Sequence, residues 1–113
     1  MQVVGKNKIL KVQKKNIGNK KLCDAIDNLI SDLEGFKPGE QNINDIRKDA
    51  DCIHNEGFYF FDINVHRTLI MIEFDEEGKA TIIWVGTHQE YETTFKNNKK
   101  TIEKWLRNNG YID

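Results

Sequence analysis

The sequence predicts an α+β protein in which a compact antiparallel sheet packs against two N-terminal helices and is followed by a C-terminal helix. Apolar residues recur at a helical period before residue 36, whereas three runs of aromatic and β-branched residues follow one another over residues 58–85. The connections between these runs are too short for parallel crossovers. With 113 residues, the chain is expected to form one domain over residues 1–113, in which residues 96–113 add a helical extension.

The first elements expected are a short strand at Met1 to Val4 and a helix over about Lys8 to Asn16. Asn7 precedes this helix and belongs to the residue types that cap helix N-termini, and Ile9 and Val12 fall on one helical face. The lysines in the first turn oppose the helix dipole, so the helix would be marginal by itself.

A second helix is predicted by a single apolar stripe that consists of Leu22, Ile26, Leu29, Ile30 and Leu33. Gly35 favours the end of this helix, and Pro38 prevents its continuation. The following residues, Phe36 to Asn55, lack a clear period and are rich in Gly, Asn and Asp. We expect a long surface loop there, with one turn of helix near Ile43 to Lys48.

Three strands are then predicted, at Phe58 to Ile63, Thr68 to Phe74 and Ala80 to Val85. Their connections, Asn64 to Arg67 and Asp75 to Lys79, are short enough to require antiparallel hairpins. The strands are apolar at nearly every position, which indicates that both faces of the sheet are covered. The two N-terminal helices can cover one face, and a C-terminal helix or a partner protein can cover the other.

The residues after the third strand have the form of a capping box, in which the side chains of Thr87 and Glu90 each bond the other's backbone amide. A helix is therefore expected to begin at His88, with Tyr91 on the same side of its first turn. A final helix is expected to start after Asn98 and to end at Gly110. Its apolar residues are Ile102, Trp105 and Leu106.

Charge is distributed unevenly along the chain, although the net charge is only −1. Met1 to Lys21 contains seven Lys and no acid, Leu22 to Glu56 contains three bases and nine acids, and Thr93 to Asn109 has a net charge of +4. Basic ends of this kind can hold a polyanion such as RNA. A solvated, lysine-rich helix face explains the same pattern.

Several classes of protein are disfavoured by the sequence. No apolar run reaches the length of a membrane span and no signal-peptide stretch is seen, so a cytoplasmic location is expected. Cys23 and Cys52 do not form a disulfide framework, and Cys52 with His54 lacks the paired spacing of a zinc site. Phosphate-binding glycine loops and nucleophile motifs do not occur. We therefore expect no metal and no cofactor.

The junction from Gly86 to Tyr91 is the first candidate for chemistry. A strand ends and a helix begins there, so free amides and the positive end of the helix suit a phosphate. The imidazole of His88, which tends to stay neutral at a helix start, can act as a base at pH 7, and Tyr91 lies within reach of the same ligand. A capping box followed by a packed tyrosine explains the same residues without any chemistry.

Arg67, at the start of the second predicted strand of the sheet, is the second candidate. Its guanidinium can hold a phosphate through two parallel hydrogen bonds. It can equally pair with Asp62, with Glu73 or with an acid of the preceding loop.

Four segments together resemble a known protein family: Ala50 to Asn55, Phe58 to Asp62, Arg67 to Ile70 and Trp84 to Tyr91. The most specific of them is a Gly-Thr-His-x-Glu-Tyr-acid pattern, completed by Glu92 and placed after a strand. The sequence resembles the HigB family of toxins from type II toxin-antitoxin systems, within the RelE-like superfamily. The RelE-like fold implied by this resemblance agrees with the predicted elements.

The resemblance implies a ribosome-dependent, metal-independent endoribonuclease that cleaves translated mRNA by attack of a ribose 2′-hydroxyl on the neighbouring phosphate. By the same resemblance, His88 is a candidate base or acid, and Arg67 stabilises charge on the phosphorane. Tyr91 is either a stacking platform or a proton-transfer partner. Contacts to RNA phosphates are expected from Lys6, Lys8, Lys11, Lys14 and Lys15.

The partners implied are a helix-turn-helix, HigA-like antitoxin, the ribosome and mRNA, with operator DNA bound only through the antitoxin and no membrane. One alternative is a non-catalytic RelE-like binding module that only engages an antitoxin-like partner, and another is a small interaction protein unrelated to toxins. The predicted pI near 6.3 differs from the basic character usual in such toxins, so weak general affinity for RNA is expected. The tail at Lys96 to Asp113 either covers the second sheet face or contributes to the antitoxin interface.

Overall fold

The computed structural model describes residues 1–54, 57–75 and 77–113, and within these it contains five strands and five helices. The strands are β1 (Gln2–Val4), β2 (Asp51–His54), β3 (Phe58–Ile63), β4 (His66–Glu73) and β5 (Lys79–Thr87). The helices are α1 (Lys6–Lys15), α2 (Lys20–Glu34), α3 (Ile43–Ile46), α4 (His88–Phe95) and α5 (Lys99–Asn108). Asn55, in the predicted loop and in the first segment of the family resemblance, and Glu76, in the predicted turn, lie outside the described residues.

The strands form one sheet in the order β1-β5-β4-β3-β2. The pairs from β2 to β5 are antiparallel, as the short connections predict, but β1 pairs with β5 in parallel. The pairing of β1 was not predicted from the sequence, and it makes the sheet mixed. A parallel pair is allowed here because most of the chain separates the two strands, which removes the limit that a short hairpin imposes. The α+β class is confirmed.

The helix α1 begins two residues earlier than predicted, and Asn7 is not its N-cap. The N-cap is Gly5, whose φ is 80°. A Cβ atom at Gly5 would lie 2.8 Å from the carbonyl oxygen of Ile82, so this close approach to β5 requires glycine. Asn7 falls inside the first turn instead.

Strand β2 lies within the segment that was expected to be a loop, so that expectation was wrong for residues 51–54. The single turn of helix predicted near Ile43 to Lys48 is present as α3. The strand is an edge strand with β3 as its one neighbour, and its first two residues are exposed. Because the residues of such a strand need not alternate between core and solvent, the sequence gives little sign of it.

Each face of the sheet carries its own hydrophobic cluster. On one face α1 and α2 pack against the strands through buried residues that include Ile9, Leu22, Ile26, Leu29, Leu33, Phe61, Ile70 and Ile82. On the other face α4 and α5 pack through Phe58, Phe60, Leu69, Ile83, Tyr91, Phe95, Ile102 and Leu106. Helices of this same chain therefore cover the second face, which resolves the choice between a C-terminal helix and a partner protein.

A tight hairpin turn and a bulge in the central strands position the candidate site. The β3–β4 hairpin turns through Asn64 and Val65, with Asn64 at a φ of 61°, so Asp62 lies directly opposite Arg67 in the register. Strand β5 contains a bulge at Ile83, because Leu69 pairs with Trp84 whereas Ile70 pairs with Ile82.

Beyond this bulge, Gly86 pairs with Arg67 and Thr87 pairs with His66. The carbonyl oxygen of the bulged Ile83 accepts a hydrogen bond from Nζ of Lys8 at 3.3 Å. Despite the bulge, β4 and β5 remain paired up to Thr87, where β5 runs directly into α4.

Candidate active site

The side chain of Arg67 is held by two aromatic rings and two carboxylates. Its guanidinium carbon lies 4.6 Å from the ring centroid of Tyr91 and 4.9 Å from that of Phe60. Its Nε donates to Oδ1 of Asp62 at 3.1 Å, and its Nη2 donates to Oδ2 of Asp51 at 3.4 Å. The side chain is only 15% exposed. Arg67 therefore has one defined position, in which its charge is partly shielded from water.

His88 lies at the first position of α4, beside the same carboxylate. Its Nε2 is 3.9 Å from Oδ1 of Asp62, and its side chain is 53% exposed. Its backbone amide donates to the carbonyl oxygen of Val65 in the β3–β4 turn, at 3.2 Å. Asp62 thus lies between a guanidinium and an imidazole, and the imidazole is accessible to a ligand.

The predicted capping box is present and fixes the start of α4. Oγ1 of Thr87 accepts from the amide of Glu90 at 3.0 Å, and the amide of Thr87 donates to Oε1 of Glu90 at 2.9 Å. The hydrogen bond from Thr87 is the main cause that lowers the pKa of Glu90, while burial acts in the opposite direction. The capping box is therefore compatible with a role for His88, because it starts α4 at this residue and so places the imidazole beside Asp62.

Tyr91 is buried, with 4% of its surface exposed. Its ring meets that of Phe60 edge to face, with the centroids 4.9 Å apart, and its Oη donates to Oδ1 of Asn97 at 2.9 Å. Burial raises the pKa of the Tyr91 phenol, and the neighbouring Arg67 reduces that rise. The phenol is therefore protonated near pH 7.

Gly86 is required by the packing around this helix start. An added Cβ atom would lie 2.6 Å from Cζ2 of Trp84 and 3.2 Å from Cβ of Glu90. The ring of Trp84 is itself packed edge to face against Phe95, with the centroids 5.0 Å apart. The first residue of the Gly-Thr-His motif thus makes room for an aromatic ring under α4.

An open cleft of about 260 Å³ adjoins the cluster formed by Arg67, Asp62, His88 and Tyr91. The cleft is lined by β2, by Tyr91 and by the start of α5, through Asp51, Cys52, Ile53, His54, Tyr91, Asn97, Lys99 and Ile102. Asn97 reaches it because Lys96 and Asn97 both have left-handed backbones, with φ values of 55° and 46°.

The predicted RNA-binding lysines are not part of this cluster. They lie on α1, which packs against the opposite face of the sheet. Lys6 pairs with Glu34 at 2.7 Å and Lys8 bonds the carbonyl of Ile83, whereas Lys11, Lys14 and Lys15 are exposed. The structure therefore separates these lysines from the residues expected to carry the chemistry.

His66 lies next to Arg67 in sequence but on the other side of β4, as strand alternation requires. It is buried, and its Nδ1 has no hydrogen-bond partner among the described residues. Burial lowers its pKa, the carboxylate of Glu90 raises it by a smaller amount, and His88 lowers it further.

The structure brings Arg67, His88 and Tyr91 together, and it adds residues that sequence reasoning did not single out. Asp62 was foreseen only as one of several ion-pair partners, although the two-residue hairpin turn would have placed it opposite Arg67. Asp51 was foreseen only as an unspecified acid of the preceding loop, and Phe60 and Asn97 were missed. Among the described residues, no group of three or more His, Cys, Asp or Glu side chains is arranged to hold a metal ion.

Part of the chain matches a known protein family. Residues 37–94, just over half of the chain, match the family model HigB toxin, described as the RelE-like toxic component of a toxin-antitoxin system. This range includes β2 to β5 and nearly all of α4, whereas α1, α2 and α5 lie outside it. No curated protein and no solved structure matches the chain. Within the described residues, no helix has the length and apolar character needed to cross a membrane.

Proposed function

Because this chain belongs to the HigB toxin family, the RelE-like toxic components of toxin-antitoxin systems, we propose that it is a ribosome-dependent endoribonuclease that cleaves translated mRNA. The observation that carries this proposal is the convergence of Arg67, Asp62 and His88 at the end of the sheet, inside the matched range. A fixed cation next to an accessible imidazole is suited to a phosphodiester.

The proposed reaction is attack of a ribose 2′-hydroxyl on its neighbouring phosphorus, which forms a cyclic phosphate as the bond to the 5′-oxygen breaks. His88 is the base that removes the 2′ proton or the acid that protonates the 5′-oxygen, since its imidazole is accessible. The other proton is exchanged with water. The reaction requires no metal ion in this proposal.

Arg67 stabilises the negative charge that develops on the phosphorane oxygens. Its contacts with Asp62 and Asp51 leave other guanidinium N–H groups for a phosphate, because the guanidinium has five donors. Tyr91 acts as a positioning residue for Arg67. Its ring is already in contact with the guanidinium and with Phe60, which favours this role over the stacking of a base.

The exposed lysines of α1, Lys11, Lys14 and Lys15, are proposed to contact ribosomal or messenger phosphates, together with Lys6 and Lys8. Because they lie across the sheet from Arg67, they would attach the protein to the ribosome without touching the scissile phosphate. The ribosome would then align the message, because a chain of net charge −1 does not attract RNA strongly by itself.

Membership of the family implies an antitoxin partner. We propose that this antitoxin is a HigA-like helix-turn-helix protein, that it neutralises the toxin in the cytoplasm, and that it alone contacts operator DNA. A small helix-turn-helix reading frame next to the gene is the expected genomic arrangement.

The proposal is tested by induced expression in bacteria of the wild-type chain, Arg67→Ala, His88→Ala and the matched control Gln89→Ala, which changes an exposed neighbour on the same helix turn. Growth is followed and the 5′ ends of messages are mapped. Wild type and the control are expected to arrest growth and to create new ends inside translated frames, and the other two variants are not. Normal growth with intact messages, in cells that hold soluble wild-type protein, would favour a non-catalytic module that only binds its antitoxin.

A further inference from the structure

We propose that the cleft between β2 and the start of α5 binds one base of the message, the base adjoining the scissile phosphate, and that Asn97 selects this base. This inference rests on the proposed function, since it assigns a substrate subsite next to the same cluster. The residues that carry it are Asp51, Tyr91, Asn97, Lys99 and Ile102.

The position of the cleft is the first argument. Tyr91 lines the cleft and also contacts the guanidinium of Arg67, and Asp51 does the same from β2. A nucleotide whose phosphate reaches Arg67 therefore lies beside this cleft, because Tyr91 and Asp51 each contact both.

The size and lining of the cleft are the second argument. Its volume of about 260 Å³ is below the range of about 300–1,000 Å³ that is usual for small-molecule sites, so one base fits better than a larger ligand. Ile53 and Ile102 provide apolar walls for the faces of a base, while Asp51 and Asn97 provide polar groups for its edge. Lys99 adds a cation that can meet an adjoining phosphate.

The hydrogen bonding of Asn97 is the third argument. Its Oδ1 accepts from Oη of Tyr91, which fixes the orientation of the amide and leaves its nitrogen as a donor. No acceptor for this nitrogen is found among the described residues. A base oxygen or ring nitrogen in the cleft is the acceptor that this arrangement suits, and the amide donor would discriminate between bases by their edges.

One side of the cleft is formed by Asn97, Lys99 and Ile102. These residues lie outside the family match, which ends at residue 94. The base preference would therefore be a property of this chain's C-terminal segment, and not of the matched toxin sequence.

The test compares the wild-type chain with Asn97→Asp, which keeps the oxygen that accepts from Tyr91 but replaces the amide donor. Asn97→Ala is the second variant, because it removes the donor without adding charge. Asn108→Asp is the matched control, since it makes the same chemical change on α5 away from the cleft. Message 5′ ends are mapped after induction, and base frequencies are tabulated at each position around the cut.

At a single position beside the cut, we expect the base preference of both Asn97 variants to be about tenfold weaker than that of the wild-type chain, since one well-placed hydrogen bond discriminates to about this extent. The base preference of Asn108→Asp should equal that of the wild-type chain. Wild-type cleavage with unaltered base frequencies in both Asn97 variants would overturn this inference and leave the proposed function intact. Uniformly slower cleavage at the same sites would also overturn it. Absence of cleavage by the wild-type chain would overturn the proposed function and the inference together.

Discussion

The guanidinium carbon of Arg67 lies 4.6 Å from the ring centroid of Tyr91, so a strand residue and a helix residue form a cation-π pair at the end of the sheet. Because Asp62 and Asp51 also hold the guanidinium, little rotamer freedom remains to be lost when a phosphate binds. A cation fixed in advance stabilises developing charge better than one that must reorganise.

Tyr91 is expected to act through its ring more than through its hydroxyl. Tyr91→Phe keeps the ring contact with Arg67 and loses the phenolic hydroxyl with its bond to Asn97, so cleavage should stay within about threefold and the free energy of unfolding should fall by about 1 kcal/mol. Tyr91→Leu removes the cation-π contact and should slow cleavage by about tenfold or more. Cleavage rates and urea unfolding measure both effects. Equal loss of cleavage in the two variants would indicate that the phenol takes part in proton transfer.

Asp62 is expected to matter more than Asp51 for cleavage. The bond from Arg67 to Asp62 is shorter, at 3.1 Å against 3.4 Å, and Asp62 also faces His88. Asp62→Asn should therefore reduce the cleavage rate more than Asp51→Asn, while Asp45→Asn on α3 serves as a control away from the cluster. If either site variant cleaves faster than wild type, the carboxylates compete with the phosphate for Arg67 instead of positioning it.

Stability should depend on pH through His66. Its pKa in the folded protein is lowered by burial, so below about pH 6.5 the unfolded chain takes up a proton that the folded chain does not. The free energy of unfolding should therefore fall as the pH drops from about 7 to about 5.5, by at most about 1.4 kcal/mol per pH unit from this residue. Urea unfolding of wild type and His66→Gln at the two pH values tests this. The variant should show the smaller fall, and equal falls would exclude His66 as the cause.

Gly86→Ala should destabilise the protein by about 1–3 kcal/mol, because the new methyl group meets the ring of Trp84. A double-mutant cycle with Trp84→Leu separates this clash from other effects. Once the ring is removed, adding the methyl group should cost much less. If the cost of the methyl group is the same with and without the ring, the clash does not explain the requirement for glycine.

The C-terminal helix should prove to be part of the core. Leu106 is fully buried against the sheet, so Leu106→Ala should lower the free energy of unfolding by about 2–5 kcal/mol. Lys104→Ala, at an exposed position of the same helix, should change it by less than about 0.5 kcal/mol. Thermal and urea unfolding provide the comparison. Similar values for the two variants would mean that α5 is an appendage that does not stabilise the domain.

Local patterns predicted those parts of the fold that depend on neighbours in sequence. The observed bounds of β3 are the predicted ones because its residues are aromatic or β-branched at nearly every position, and α4 begins at His88 because the capping box is formed within four residues. The start of α1 was misjudged because it depends on the approach of Gly5 to Ile82, a contact across most of the chain.

In the candidate site, too, only the residues that depend on local sequence patterns could be predicted. His88 and Tyr91 belong to one helix turn, and Arg67 lies in a strand whose identity was clear. The contacts of Asp51 and Asn97 depend on the sheet order and on two left-handed residues before α5, neither of which has a marker in the sequence. Residues that meet through such long-range geometry require the structure.

The bulge at Ile83 shifts the alternation of β5 by one residue, so different positions face α1 and α2 before and after it. Before it, Ala80 and Ile82 contact the cluster beneath α1 and α2, whereas after it Val85 does so. The residues that face those helices thus change from even to odd numbers at one place. A strand that alternated without interruption would turn Trp84 toward α1 and α2, and the helix that follows would start with the opposite orientation. A single additional residue therefore decides which side of the sheet bears His88 and Tyr91.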